Sequence, residues 1–231
     1  TKVSYFDKND SPVEYRGSEG RYASLVSEFD MYGRVVRQLY YDKNGALTAP
    51  DVMVPEALVQ YDKWGNIVYF ASADGNGNLI PNPKKGWTIS KSEYDSKSNM
   101  MWQAYFDEKD QPKSCKDGYH KVVYAYTKTN EQESEAYFDV KGNPALVNGY
   151  HKEVYTYDEN DNCIEIAYFG KTGNAVNSSY GFYKVVFTYN ADQTIRDRKY
   201  YNAAGRMLLH EQYINGSWVE VKYWQKDFAQ H

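Results

Sequence analysis

The chain has 231 residues, a formal net charge of −4 with both signs interspersed, and 17% aromatic residues, among them 25 tyrosines. It has neither a basic patch that could neutralise a row of phosphates nor an apolar run near the roughly 20 residues that span a bilayer, which argues against a nucleic-acid partner and a transmembrane segment. The mean hydropathy of −0.80 is low, but disordered chains are poor in aromatic residues, so we predict a folded protein whose apolar surface is largely tyrosine.

A pair of aromatic residues, usually followed by Asp or Asn, recurs along the chain at intervals of 31 to 35 residues. One copy is degenerate, with Ser72 and Ala73 in the aromatic positions, but its loop GNGN matches the glycine loops of its neighbours. A period of this length indicates tandem repeats. The pairs start at Tyr5, Tyr40, Ser72, Tyr105, Tyr137, Tyr168 and Tyr200.

A second marker is a single aromatic residue that opens a polar turn, always eleven residues before the next aromatic pair. It occurs at Phe29, Tyr61, Tyr94, Tyr126, Tyr157 and Tyr189. Because two markers keep one offset through six units, we interpret residues 1–231 as a single array of about seven repeats, with irregular units at the ends.

Each unit is predicted to contain two strands and two turns. Residues 120–126 alternate and are rich in β-branched and aromatic residues, as a strand requires, and residues 133–138 form the second strand. The polar turns at 127–132 and 140–143 carry the Asn and Gly that hairpin turns favour. The predicted fold is all-β, with tandem hairpins of about 32 residues that form an extended, twisted antiparallel sheet or a β-solenoid.

The period of two in a strand places Tyr124 and Tyr126 on one face, with Tyr155 and Tyr157 at the same places in the next unit. Stacked in register, such rings would form ladders across neighbouring repeats. In the second strand, the adjacent Tyr137 and Phe138 must point to opposite faces. Most of the tyrosines are expected to fill a thin sheet, and a subset is expected to be exposed.

The motifs resemble the tyrosine-aspartate (YD, or RHS-type) repeats of bacterial exported and surface proteins. The resemblance rests on YDKWGN at 61–66, YDENDN at 157–162 and YYDKNG at 40–45. The hairpin-with-glycine pattern is also similar to MORN-type repeats. The unit is longer than the roughly 20 residues of those families. The resemblance implies an extended β sheet or spiral that serves as a shell, a spacer or an adhesive surface, and it carries over no catalytic residue.

Catalytic and metal-binding motifs are not evident. His120 and His151 occupy one repeat position, where a third unit has Tyr183, so we assign them to packing rather than to metal ligation. The carboxylates of Glu133 and Glu135 share a strand face and are interpreted as solvated rather than as a glycosidase pair. The Asp- and Asn-rich loops at 74–78 and 158–162 are similar to calcium loops, but turn geometry already explains them. No metal and no cofactor is predicted.

Cys115 and Cys163 fall at non-equivalent repeat positions, and both are expected to be free, although a mutual disulfide stays open. The chain starts with Thr1 rather than Met, which indicates a processed or a truncated N-terminus and permits an exported origin; we expect a protein located outside the cell or at the cell surface.

The predicted function is a non-enzymatic module that binds a polysaccharide or a surface protein, or that acts as a scaffold. The alternatives are a carbohydrate-active enzyme and a toxin-associated shell fragment. A tyrosine surface suits sugar or protein contact, because each ring offers an apolar face and a hydroxyl. The candidate ligand-binding ladder consists of Tyr105, Tyr124, Tyr137, Tyr155, Tyr168 and Tyr200.

Overall fold

The computed structural model describes residues 1–17, 20–50 and 54–221, and within these ranges it contains seventeen strands and no helix. The prediction of an all-β fold built from tandem antiparallel hairpins is confirmed. The chain divides into two compact units. Unit 1 comprises residues 1–123 and 138–143, and unit 2 comprises residues 124–137 and 144–231.

In unit 1, the strands that follow one another along the chain are also neighbours in the sheet, in the linear order β1-β4-β5-β6-β7-β8-β9-β10, while β2 and β3 form a separate small hairpin. The division between the units falls within β10. The strands are β1 (Lys2–Ser4), β2 (Tyr15–Gly17), β3 (Gly20–Tyr22), β4 (Ser24–Phe29), β5 (Val35–Tyr41), β6 (Glu56–Tyr61), β7 (Ile67–Ala73), β8 (Ile89–Tyr94), β9 (Met100–Phe106) and β10 (Lys121–Tyr126).

Unit 2 has the same consecutive antiparallel order, from β11 to β17. Within the ranges that the structure describes, no helix could cross a membrane. The strands are β11 (Gln132–Phe138), β12 (Lys152–Tyr157), β13 (Cys163–Phe169), β14 (Lys184–Tyr189), β15 (Ile195–Tyr201), β16 (Met207–Ile214) and β17 (Ser217–Glu220).

The strand positions follow the period of the sequence. The first strands of six equivalent hairpins begin at positions 24, 56, 89, 121, 152 and 184, and their second strands end at positions 41, 73, 106, 138, 169 and 201. Five of the six second strands end at the second residue of an aromatic pair, and β7 ends at Ala73, the second residue of the degenerate copy. That residues 1–231 act as a single array stays a prediction.

Both turns of a repeat have the same backbone. In the hairpin turn, Asp62 N–H donates to Asn66 O (2.9 Å) and Gly65 N–H to Asp62 O (3.2 Å). The turn that follows the aromatic pair repeats this pattern, with Asp42 N–H on Ala46 O (2.8 Å) and Gly45 N–H on Asp42 O (3.1 Å). Gly65 and Gly45 have φ values of +96° and +79°, as a type I turn with a glycine bulge requires. The two sequence markers are therefore two copies of one five-residue loop.

The Asp carboxylate in these loops accepts hydrogen bonds from backbone N–H groups of the same loop. Asp95 Oδ1 accepts the N–H groups of Lys97 (2.8 Å) and Asn99 (2.9 Å), and its Oδ2 accepts the Asn99 side chain at 2.9 Å. The hydrogen bond from the Asn99 side chain lowers the pKa of Asp95. Turn geometry thus accounts for the Asp and Asn residues of the repeat.

Candidate functional site

The six tyrosines of the predicted ladder lie in or near the core of their units. Three of them, Tyr105, Tyr137 and Tyr168, are buried. The other three, Tyr124, Tyr155 and Tyr200, are half-buried. The structure thus assigns these rings to packing in the first place, and their role in ligand binding stays a prediction.

In unit 2 the first tyrosines of the aromatic pairs form one row with rings from the connections between hairpins. Tyr150 lies between Tyr137 (6.1 Å between ring centroids) and Tyr168 (4.6 Å). Phe182 lies between Tyr168 (5.8 Å) and Tyr200 (4.9 Å). Sequence reasoning missed this alternation, although the signal was present in the recurring Gly-aromatic dipeptides at 149–150 and 181–182.

Unit 1 shows the same arrangement around Tyr105. Its ring stacks on Trp87 at 5.3 Å and contacts Tyr119 at 5.7 Å, and both of these rings again follow a glycine in a connection. The Tyr105 hydroxyl donates to the Gln103 side chain at 2.8 Å. Burial raises the pKa of Tyr105, as expected for a hydroxyl inside a core.

The opposite face of the first strands carries an open groove in each unit. In unit 1 the groove has a volume of about 350 Å³, and we call it groove A. Residues 121 and 123 of β10 face this groove because they alternate with Val122, which is buried on the tyrosine side. Groove A is lined by His120, Lys121, Val123, Phe138, Asp139, Val140 and Gly142.

Unit 2 has a groove of about 380 Å³ in the equivalent place, which we call groove B. Every lining residue of groove B lies 31 positions after one of groove A, so the repeat itself generates the site. Groove B is lined by His151, Lys152, Val154, Phe169, Gly170, Lys171 and Gly173.

Hydrogen bonds and ring contacts fix the walls of groove B. The Phe169 ring meets Tyr183 edge-on, with 5.6 Å between centroids. His151 Nδ1 lies 2.7 Å from the Tyr137 carbonyl oxygen, which can only accept, so this nitrogen carries a proton. Lys152 and Lys171 make no ion pair with any residue that the structure describes. Groove B is therefore lined by an aromatic ring and by two lysines that form no ion pair among the described residues.

Groove A has the same framework with a different charge. The Lys121 ammonium lies 4.5 Å from the centroid of the Trp102 ring. The carboxylate of Asp139 accepts the N–H groups of Lys141 (2.8 Å) and Asn143 (2.9 Å) in its own turn. Where groove B has Gly170 and Lys171, groove A has this Asp and Val140, so it carries one cation fewer and one anion more.

The other residues considered from the sequence do not assemble into a reactive centre. Within the described residues, no group of three or more His, Cys, Asp and Glu could hold a metal ion. Cys115 and Cys163 are free thiols, the first buried and the second half-buried. Of the carboxylate pair, Glu133 is exposed and Glu135 accepts a hydrogen bond from the Tyr137 hydroxyl.

A second pair of carboxylates lies on the tyrosine face of unit 2. Glu135 and Glu153 are direct partners in the antiparallel register, and the Tyr150 hydroxyl donates to Glu153 Oε2 at 3.1 Å. Burial raises the pKa of Glu153 and the charge of Glu135 raises it further, while the hydrogen bond from Tyr150 opposes the rise. Sequence reasoning did not find this pair, because its members come from different hairpins.

No protein-family model and no curated protein matches the chain. Among solved structures, it is similar to the crystal structure of TcdB2-TccC3, at 11% identity over 95% of this chain and a TM-score of 0.40. It is also similar to a structure of the Photorhabdus luminescens Tc holotoxin pore (8% identity, 94% of this chain, TM-score 0.34). The chain spans 11% and 12% of the lengths of those chains. At these TM-scores, neither similarity carries an argument about function.

Proposed function

We propose that this chain is a non-enzymatic repeat module, exported to the cell surface, that binds a polysaccharide or a protein through grooves A and B. The observation that carries the proposal is the recurrence of one groove, residue for residue, in two repeats. Both grooves keep the same His, Lys, Val and Phe positions.

The size and the lining of the grooves support a binding role. Volumes of about 350 and 380 Å³ lie in the range typical of ligand pockets, and each groove combines apolar walls with a small number of polar groups. The rings of the tyrosine row, in contrast, pack inside the unit, since Tyr137, Tyr150 and Tyr168 are all buried.

The lining chemistry supports binding over hydrolysis. A glycosidase requires two carboxyl groups that flank the scissile bond. None of the seven residues that line groove B carries a carboxylate, and the one carboxylate of groove A, Asp139, is held by its own turn.

A glycan and cell-wall array tests the proposal. The purified chain is compared with the double variant Phe138→Ala/Phe169→Ala, which removes the ring of each groove, and with Trp64→Ala, which removes an exposed ring that lines neither groove. We expect the double variant to lose the signals that the parent and Trp64→Ala share. Thermal unfolding of all three proteins distinguishes loss of binding from loss of fold. Full retention of signal by a folded double variant would contradict the proposal.

A further inference from the structure

We infer that groove B recognises the carboxylate of a uronic acid unit in an acidic polysaccharide; this rests on the proposed binding function and specifies its ligand. Three properties of groove B favour this ligand: its charge, its aromatic wall, and the pairing of both its strands with neighbouring strands on each edge.

The positive charge of groove B favours an anionic ligand. Lys152 and Lys171 both line the groove and neither is neutralised by a carboxylate among the described residues. The nearby ion pair between Lys184 of β14 and Glu165, at 2.7 Å, does not involve those two ammonium groups. An anionic group in the groove would therefore gain two charge-assisted contacts without having to displace an existing ion pair.

The aromatic wall suits a sugar ring. Phe169 is half-buried and is held edge-on by Tyr183, so its orientation is fixed before a ligand arrives. Gly170 and Gly173 leave the backbone beside it without side chains. A pyranose ring presents C–H groups that pack on an aromatic face, while its carboxylate can reach the lysines.

The strands that carry groove B argue against an extended acidic peptide. Such peptides are commonly bound by adding a strand to a free sheet edge. Here β12 pairs with β11 and β13, and β13 pairs with β12 and β14, so neither strand has a free edge. At the groove itself, the N–H of His151 donates to the carbonyl of Phe169 at 2.8 Å. A ligand of groove B therefore cannot bind by pairing with the backbone of either strand.

Groove A supplies an internal comparison. It keeps His120, Lys121 and Phe138, but Asp139 and Val140 replace the glycine and the second lysine of groove B. We therefore expect groove A to bind the same acidic unit more weakly. Exchanging the residues at 140 and 171 should move the preference from one groove to the other.

The experiment measures the affinity of the whole chain for polygalacturonate, alginate and hyaluronan by calorimetry. Polygalacturonate with methyl-esterified carboxylates has the same sugar backbone without the charge, and poly-L-glutamate has the charge without the sugar. We expect binding to at least one uronate polymer, weakening as salt is raised, with no comparable binding to the ester or to poly-L-glutamate.

Three variants locate the binding. Lys171→Val and Lys152→Gln should each lower the affinity about fivefold, the effect of one exposed charge contact. Val140→Lys gives groove A the second lysine and should raise the affinity by a similar factor, because Val140 is 44% exposed and a longer side chain fits there. Unchanged thermal unfolding shows that each variant is folded.

The possible outcomes separate this inference from the proposed function. Equal binding to the esterified polymer, or to neutral glycans on the array, would overturn the uronate inference and leave the binding function intact. Equal binding to poly-L-glutamate, or affinities that the lysine variants do not change, would overturn it as well. If no polysaccharide or protein binds, the proposed function itself fails.

Discussion

Hairpins β6–β7 and β12–β13 each depart from the repeat by one glutamate at the start of the first strand, and the two glutamates have opposite surroundings. Glu56 occupies the first position of β6, where the equivalent strands have Ser24, Ile89 or a lysine. Glu153 occupies the second position of β12, where the equivalent residues are Leu, Ala, Ser or Val.

Glu56 is fully buried, and both oxygens of its carboxylate accept hydrogen bonds. Its Oε1 accepts from Arg37 Nε at 2.5 Å, and its Oε2 accepts the N–H groups of Gly75 and Gly77, both at 3.0 Å. The GNGN loop of the degenerate third repeat thus binds this carboxylate. The residue that replaces the tyrosine there, Ser72, is fully buried, and its hydroxyl has no hydrogen-bond partner within the described residues.

Glu153 forms no ion pair with any of the described residues. Its neighbours on the sheet are the carboxylate of Glu135 and tyrosine hydroxyls, of which Tyr150 donates at 3.1 Å. Like charges directly opposite each other destabilise an antiparallel pair. We therefore expect Glu56, which N–H donors surround, to stabilise its repeat, and the half-buried Glu153, beside hydroxyls and a second carboxylate, to take up a proton more readily than an exposed glutamate does.

The largest loss of unfolding free energy is expected from Arg37→Met, because this variant leaves the buried charge of Glu56 without its cation. Breaking a buried pair by removing one partner costs about 3–5 kcal/mol. Urea unfolding measures the loss. Lys184→Met is the matched control, since Lys184 and Glu165 form a pair whose side chains stay about 30% exposed, and it should cost about 1 kcal/mol or less. Equal losses in the two variants would contradict the special role of Glu56.

A smaller loss is expected from Gly75→Ala. Both Gly75 (φ +93°) and Gly77 (φ +86°) have left-handed backbones, which cost a side chain about 1–2 kcal/mol. A Cβ at Gly75 would also collide with Leu47, whereas the space around Gly77 is open. Gly75→Ala should therefore destabilise the protein by more than Gly77→Ala does in the same urea unfolding measurement. The reverse order would show that Leu47 moves away without cost.

Much of this fold could be predicted from the sequence, because strands and turns are encoded locally. The offset between the two aromatic markers located six hairpins, and the Asp, Asn and Gly positions located their turns. The Gly-aromatic dipeptides recur in the sequence, but their recurrence alone does not show which rings share a row. Tyr150 and Phe182 reach the row from connections, and their positions depend on how neighbouring hairpins pack.

The candidate site was less predictable than the fold. From the sequence, His120 and His151 were assigned to packing, and grooves A and B exist only once the second aromatic of each pair, Phe138 or Phe169, lies beside them. The Glu135–Glu153 pair likewise depends on the register between β11 and β12, which alternation along one strand does not specify.

The substitution Glu153→Gln should raise the free energy of unfolding moderately, whereas Arg37→Met and Gly75→Ala should lower it. It removes the charge that faces Glu135 and keeps an acceptor for the Tyr150 hydroxyl. We expect a gain of roughly 0.5–1 kcal/mol at pH 7, allowing for the solvent that still reaches this half-buried group. Glu133→Gln, at an exposed position of β11, should change nothing measurable. A loss of stability in Glu153→Gln would show that the carboxylate is stabilised as an anion.

The smallest effect is the pH dependence that Glu153 imposes on the wild-type protein. Because burial raises the pKa of Glu153 in the folded state above the ordinary value of 4.5, the folded protein binds a proton more readily than the unfolded chain does. This contribution to stability is present in full below about pH 4.5 and is lost as the pH rises through the folded pKa.

The turn aspartates act in the opposite sense, since a hydrogen bond from Asn99 lowers the pKa of Asp95, and stability from that source is lost only as the pH falls below about 3.8. Histidines also titrate between pH 5 and pH 7, so the measurement compares thermal unfolding at these two pH values in the wild type and in Glu153→Gln: the change in stability from pH 5 to pH 7 should be less favourable for the wild type than for the variant. An equal change in the two proteins would assign the pH dependence to another group.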